Sequence, residues 1–145
     1  MATTPQFGAS PIYAYNTSAI TAANTATDGT GTVVFLQTNA AGTTADLVIG
    51  AGGAFIDFLQ INPRGTNVQT VMRLFSNANA TNATAANNDL LGEANCLATT
   101  ASNTAPLAPV AIVVKRWFPS GTKFFVTIGT AVAAGFSVTL FGSQM

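Results

Sequence analysis

Charged side chains are scarce in this sequence. Lys and Arg number five, Asp and Glu number five, and together they make up 7% of 145 residues with a formal net charge of zero. About a quarter of the residues in a typical globular domain are charged. Because a surface with so little charge favours association, we expect that other protein covers much of it, in an oligomer or a larger assembly.

The few cations also bear on nucleic-acid binding. Five scattered cations can neutralise few phosphates, and only Lys115 and Arg116 are adjacent, with Trp117 beside them. A Trp next to two cations can act as a stacking platform for a base. Two charges pointing outward from a strand at the rim of a sheet are the simpler explanation, so we expect no nucleic-acid partner.

Histidine is absent and cysteine occurs once, as Cys96. The first absence excludes Ser-His-Asp and Cys-His nucleophilic systems and removes the commonest zinc ligand. A single cysteine leaves no internal disulfide, and we expect Cys96 to be a small buried apolar residue. Residues 50–53 are glycine-rich, but Phe55 stands where a dinucleotide-binding loop would have its third glycine, so we expect an ordinary loop.

The carboxylates show no catalytic arrangement. Five of them lie on what we predict to be different strands and loops: Asp28, Asp46, Asp57, Asp89 and Glu93. Neither a carboxylate pair for hydrolysis nor a calcium loop is recognisable among them. Asp57 lies between Ile56 and Phe58 in an apolar stretch, so we expect a structural ion pair with Arg64 or Arg73. The sequence therefore predicts no enzyme, no metal site, no cofactor and no small-molecule substrate.

The N-terminal residues 1–30 are predicted to form an extended arm. Pro5 and Pro11 disfavour a helix, and the alternation of Tyr13 and Tyr15 predicts a short edge strand. No basic region or long apolar run precedes them, so we expect no signal peptide. The arm packs either on its own domain or on a neighbouring subunit. The remaining residues, 31–145, are expected to form a single domain.

The long uncharged run at residues 123–141 admits two interpretations. About twenty apolar residues suffice for a membrane-spanning helix, with Lys115, Arg116 and Lys123 as a positive flank. Apolar residues alternate with others at 124–128 and at 136–140, however, and a period of two is typical of strands. We therefore predict a closing β-hairpin whose strands are joined by the glycine-bounded segment 129–135, and no membrane partner.

Other segments have the same strand pattern. We predict strands at residues 32–38, 54–62, 68–76 and 110–118, and a strand or a short helix at 90–98. Both faces of 54–62 are largely apolar, which is typical of a strand covered on both sides. Residues 39–44, 77–88 and 99–109 are predicted turns and loops. Seven or eight strands without a clear helix predict an all-β, two-layer sandwich, with an eight-stranded jelly roll as the natural candidate.

Two runs in the C-terminal half resemble a known group of proteins. RLFSNANATNATAANNDLLGEANCLATTASNTA begins at Arg73, and PSGTKFFVTIGTAVAAGFSVTLFG begins at Pro119. Together they resemble small all-β head decoration, or cement, proteins encoded near the capsid genes of tailed bacteriophages and prophages. TIGTAVAAG is the most specific part. Phe118 and Thr122 replace the Leu and aromatic residue frequent around the Pro-x-Gly turn, and Phe136 replaces the usual Trp.

The resemblance implies a structural virion protein with no catalytic residue. Such a protein lies on the outside of the capsid lattice, commonly as a homotrimer, with the major capsid protein and its own copies as partners; it is made in the host bacterial cytoplasm. Aromatic side chains dominate interface energetics. The candidate subunit or capsid contacts are therefore Phe7, Tyr13, Tyr15 and Trp117, each of which could equally belong to the core.

Two other functions remain open for a jelly roll of this size. One is a receptor- or glycan-binding module of a phage fibre, which would present exposed aromatic platforms. The other is a small shell protein that encloses a genome. A shell protein of that kind normally has a basic arm, and residues 1–30 contain neither Lys nor Arg.

Overall fold

The computed structural model describes residues 10–40, 43–79 and 81–145. These residues contain ten strands and one three-residue 3₁₀ helix, Ala85–Asn87. The strands are β1 (Ser10–Tyr15), β2 (Val34–Phe35), β3 (Gln37–Ala40), β4 (Thr43–Asp46), β5 (Ala54–Pro63), β6 (Thr70–Asn77), β7 (Asn88–Cys96), β8 (Val110–Phe118), β9 (Lys123–Ile128) and β10 (Phe136–Gln144).

The strands form two antiparallel sheets that pack face to face. The six-stranded sheet has the order β4-β3-β1-β10-β5-β8, and the four-stranded sheet has the order β2-β9-β6-β7. Four strand pairs are nested in the sequence: β1 with β10, β2 with β9, β5 with β8, and β6 with β7. This nesting is the connectivity of a jelly roll. The predicted all-β sandwich is confirmed, and a β3–β4 hairpin extends one sheet beyond the expected eight strands.

Alternating apolar residues build the core between the sheets. The inner face of β10 presents Phe136, Val138 and Leu140, all at most 1% exposed, opposite Phe124 and Val126 of β9. Each such side chain stabilises the fold by about 1.5–3 kcal/mol relative to full exposure. Strand β9 is buried on both faces from residue 124 onward, which explains why its sequence contains almost no polar residue.

The C-terminal run forms two strands, but they do not form a hairpin. Strand β9 lies in the four-stranded sheet and β10 in the six-stranded sheet, so the segment 129–135 carries the chain from one layer to the other. The predicted hairpin was wrong because an alternating pattern identifies strands and leaves their pairing partners open. The described ranges contain a single helix, of three residues, which is too short to cross a membrane.

The structure corrects two further predictions. The predicted strand 32–38 divides at Leu36, which is 0% exposed and lies where the chain passes from β2 in one sheet to β3 in the other. The predicted turn at 39–44 contains the end of β3 and the start of β4. At residues 90–98, where helix and strand were both open, the chain forms the strand β7.

The first described residues belong to the sandwich. Strand β1 was expected at a sheet edge, but it lies between β3 and β10, because the β3–β4 hairpin adds two strands outside it. The segment that follows β1 forms isolated bridges from Ile20 to Phe136 and from Ala23 to Ile128. Residues 10–30, predicted as part of an arm, are therefore packed on their own domain. Pro5 and Phe7 lie outside the described residues.

Buried asparagines hold the loops together. Asn67, 3% exposed, donates to the Gly135 carbonyl and accepts from the backbone N–H groups of Ala134 and Gly135. Asn16 and Asn24 are also buried, and each binds backbone groups in the same way. Because an asparagine amide both donates and accepts, it replaces the backbone partners that a loop lacks.

Candidate interaction surface

A row of apolar side chains crosses the outer surface of the six-stranded sheet. Tyr13 of β1, Phe141 of β10, Phe58 of β5 and Val113 of β8 are direct neighbours in the strand register. Residues directly opposite each other on neighbouring strands share a face. The Tyr13 and Phe141 rings are 5.5 Å apart edge to face, and the Phe141 and Phe58 rings are stacked 4.8 Å apart. The row therefore spans four strands without a gap.

A second row widens this surface. Pro11, Ser143, Phe55 and Trp117 are opposite one another on the same four strands, and the Tyr15 ring lies 6.3 Å from that of Tyr13. Three side chains of this surface are strongly exposed: Tyr13 at 58%, Val113 at 66% and Trp117 at 47%. We call this surface the aromatic face; its apolar members are Pro11, Tyr13, Tyr15, Phe55, Phe58, Val113, Trp117 and Phe141.

The four-stranded sheet has an equivalent row of apolar side chains on its outer surface, but the centre of this row is buried. Phe35, Phe125, Phe75 and Leu90 are direct neighbours across its strands, but Phe75 and Phe125 are at most 1% exposed. The chain's own loop around Gly29 covers Phe75, since a Cβ on Gly29 would lie 3.1 Å from the Phe75 ring.

Asparagines from a distant loop hold this cover in place. Asn82 donates to the carbonyls of Gly29 and Gly31, at 2.8 and 3.1 Å, and Asn88 donates to that of Asp28 at 3.0 Å. The loop 77–88 was predicted only as exposed low-complexity sequence, and it has this structural role as well. Within the part of the chain that the structure describes, the centre of this outer row is thus buried, although Leu90 at its end is 44% exposed. The aromatic face is left open.

The aromatic face contains three of the four predicted contact residues. Tyr13, Tyr15 and Trp117 lie on it together, and Phe7 lies outside the described residues. Sequence reasoning missed Phe58 and Phe141, which were assigned to covered strands. The signal was present in residues 54–62, where both faces of the strand are apolar although only one of them faces the core.

Most charged side chains of the protein neutralise one another in ion pairs. Eight of the ten charged residues form four pairs: Arg73–Glu93 at 2.6 Å, Lys115–Asp57 at 2.6 Å, Arg116–Asp89 at 2.7 Å and Lys123–Asp46 at 3.4 Å. Exposed pairs of this kind contribute about 0–1 kcal/mol each to stability. Their greater effect is on recognition, because they leave the surface with little net field to steer a charged partner.

Asp57 has a different partner from those predicted. It binds Lys115 rather than Arg64 or Arg73, and both side chains of the pair are well exposed. The pair lies at a bulge of β8, where two residues oppose the single Asp57 of β5. Lys115 adopts the left-handed conformation there, with φ of 50°. A bulge and exposed cations on an edge strand disfavour pairing with another chain. The two cations lie on a strand at the rim of a sheet, as predicted, but Arg116 is opposite the buried Ile56 and binds Asp89 of β7 in the other sheet.

Two ionisable groups away from the aromatic face have shifted pKa values. Hydrogen bonds from the Thr30 side chain and backbone lower the pKa of Asp28. Burial raises the pKa of the Cys96 thiol, in keeping with the prediction that this residue is buried. Within residues 10–40, 43–79 and 81–145, no three His, Cys, Asp or Glu side chains come together as a metal-binding group.

Comparison with known proteins adds no relative. No protein-family model, curated protein or solved structure matches this chain.

Proposed function

We propose that this protein is a structural virion protein: a decoration or cement protein that binds the outside of a tailed-phage capsid lattice, as a homotrimer, and stabilises it. The aromatic face carries this proposal. Contiguous exposed apolar patches mark interaction sites, and the centres of protein interfaces are rich in aromatic residues and poor in charge. The aromatic face has this composition.

Paired charges on the rest of the surface also support a protein partner. A partner bound through the aromatic face meets the ion pair Lys115–Asp57 beside it, which is already satisfied at 2.6 Å. Desolvating a free charge would oppose binding, and this surface has none to desolvate. Many copies bound to the assembled shell and not to its free subunits would stabilise the shell by mass action.

The resemblance of residues 73–142 to phage decoration proteins supports the phage setting and the homotrimer. The jelly-roll connectivity is compatible with that resemblance, although many functions share this fold. A structural role accounts for the lack of histidine and for the distribution of carboxylates over four separate ion pairs and one loop.

Two matched variants test the role of the aromatic face. Val113 and Val68 are exposed valines, at 66% and 56%, and only Val113 lies on the aromatic face. Capsids stripped of this protein are mixed with wild type, Val113→Lys or Val68→Lys, and the bound copies are counted after sedimentation. We expect Val113→Lys to lose at least tenfold in binding and Val68→Lys to bind as wild type. Equal binding of all three would refute the role of the aromatic face.

Two measurements on unmodified material test the wider proposal. Quantitative mass spectrometry of purified particles should find this chain in proportion to the major capsid protein. The mass of the native protein in solution should be three times that of one chain. Particles that contain only a few copies would exclude a decoration protein, and a monomer in solution would exclude the homotrimer.

A glycan-binding module is a second candidate, because Trp117 and Tyr13 present exposed aromatic rings of the kind on which sugar rings stack. Ser143 lies in the same register row as Trp117, and Thr139 and Gln60 lie in the row of Tyr15; they offer hydroxyl and amide groups. A glycan array with wild type and Trp117→Ser separates the two functions. Saturable binding of one glycan class that Trp117→Ser abolishes would favour the glycan-binding module.

A further inference from the structure

A second apolar site lies on a different side of the sandwich, between the edge strands β7 and β8. These strands belong to opposite sheets and touch where Gly92 meets Ile112: a Cβ on Gly92 would lie 2.6 Å from Ile112 Cγ2. Beyond this contact a cleft of about 350 Å³ opens between the end of β7 and the start of β8. The loop 97–109, which connects the two strands, forms its outer boundary.

The cleft is lined mainly by apolar side chains. Ile61, Phe136 and Cys96 form its floor, each at most 2% exposed, and Leu97, Leu107 and Val110 are on its walls. Leu97 is 63% exposed. Because this exposed leucine lies beside the apolar floor, the apolar surface continues from the solvent to the core. Ligand sites are commonly lined in this way by apolar side chains.

Hydrogen bonds hold one wall of the cleft in place. Thr99 exchanges backbone hydrogen bonds of 3.1 and 2.9 Å with Asn67, and its hydroxyl donates to the Gly65 carbonyl at 2.6 Å. The Ala101 N–H donates to the Thr66 hydroxyl at 3.0 Å. A wall fixed in this way needs little ordering when a ligand binds, which lowers the free-energy cost of binding.

The side chains that line the cleft favour a ligand without charge. None of the charged side chains in the described ranges lines the cleft, and the polar groups there are Asn95, Thr99 and Thr100. An ionic ligand would lose its hydration without a counter-charge. An apolar cavity of about 150 Å³ suffices to bind benzene, so the cleft has room for a molecule of about two fused rings or a short alkyl chain.

We propose that the β7–β8 cleft is a binding site for a small, neutral, apolar molecule, aromatic or alkyl. The site is independent of the aromatic face and of the proposed virion function, since the two surfaces share no residue. A bound molecule would cover Leu97 and fill the space above Phe136. Cys96, the only cysteine of the chain, lies on the floor of the cleft. The rate at which its thiol reacts therefore indicates whether a molecule is bound there.

The test uses 1-naphthylamine with the full chain. This neutral probe has two fused rings, and its fluorescence emission shifts to shorter wavelength in apolar surroundings. We expect saturable binding of one probe per chain. Saturating probe should also slow the reaction of Cys96 with methyl methanethiosulfonate at least tenfold. The Cys96 measurement needs no variant and stays informative if a variant fails to fold.

A matched pair of variants locates the probe. Ala108 lines the cleft, whereas Ala105 is an exposed residue of the same loop outside the lining. Ala108→Trp should lower the probe affinity at least tenfold, and Ala105→Trp should leave it unchanged. Absence of saturable binding to wild type, unchanged affinity in Ala108→Trp, or unchanged Cys96 reactivity under saturating probe would each overturn the site. Loss of binding in Val113→Lys would place the probe on the aromatic face and would also overturn it.

Discussion

Replacement of Asn67 by alanine tests whether buried asparagines hold the loops of this jelly roll. The side chain makes three hydrogen bonds to the crossover segment between β9 and β10. It donates to the Gly135 carbonyl at 3.0 Å and accepts from the N–H groups of Ala134 at 3.0 Å and Gly135 at 2.8 Å. After the change, the Gly135 carbonyl still accepts from the Arg64 N–H at 3.0 Å. The two N–H groups lose their partner.

The cost follows from the burial of these two N–H groups. Gly135 is buried and Ala134 is half-buried, so water can reach only the second. A buried donor without a partner costs about 1–3 kcal/mol. We assign about 2 kcal/mol to the Gly135 N–H and about 1 kcal/mol to that of Ala134. The total of about 3 kcal/mol is a large share of the 5–15 kcal/mol by which a domain is typically stable.

Urea unfolding followed by tryptophan fluorescence measures this loss. With a slope of about 2 kcal/mol per molar urea, the midpoint of Asn67→Ala should fall by about 1.5 M with the slope unchanged. Asn95→Ala is the control, because Asn95 is exposed and accepts a single hydrogen bond from Gln69; its midpoint should move by no more than about 0.25 M. Equal shifts for the two variants would refute the reasoning.

Three further predictions concern the thiol and the two sheet surfaces. Burial raises the pKa of the Cys96 thiol, so with rising pH the thiol loses its proton in the unfolded chain before it does so in the folded chain. Wild type should therefore lose stability relative to Cys96→Ala as the pH rises above about 8.5. Melting curves from pH 7 to pH 10 measure this difference. Phe125→Ala should cost about 3–5 kcal/mol because the ring is fully buried, whereas Val113→Ala should stay within about 0.5 kcal/mol in the same urea assay. Lys115→Gly should be more stable than Lys115→Ala by about 1 kcal/mol, because both lose the ion pair with Asp57 and only glycine relieves the left-handed backbone.

Each of these predictions has an outcome that contradicts it. Parallel pH profiles of wild type and Cys96→Ala would show that ionisation of the thiol does not affect folding. A small effect of Phe125→Ala would mean that the Phe125 ring is not fully buried in the folded protein. Equal urea midpoints for Lys115→Gly and Lys115→Ala would show that the bulge of β8 is not strained.

The candidate surface was partly predictable from sequence. Tyr13, Tyr15 and Trp117 were selected because aromatic side chains dominate interface energetics, and they share one face. Phe58 and Phe141 were missed because an apolar residue on either face of a strand is usually assigned to the core. Their position in one row depends on the register of β1, β10, β5 and β8, and those strands are distant in the sequence.

Local patterns sufficed to identify three of the strands. Residues 54–62, 110–118 and 123–128 are rich in β-branched and aromatic side chains, and the strands β5, β8 and β9 match them to within one residue. Side-chain direction in a strand is a property of neighbouring residues, so it can be read without a structure. Composition likewise excluded histidine-based catalysis and internal disulfides before any fold was known.

Tertiary structure alone decided which strands pair and which surfaces stay open. Strands β9 and β10 belong to different sheets although only seven residues separate them. In one of the two outer rows, Phe75 is covered because Asn82 and Asn88 bind the segment 28–31, more than fifty residues earlier in the chain. The other row, around Phe141, has no such cover among the described residues. Coverage depends on contacts between distant segments, and the alternation within a strand contains no information about them.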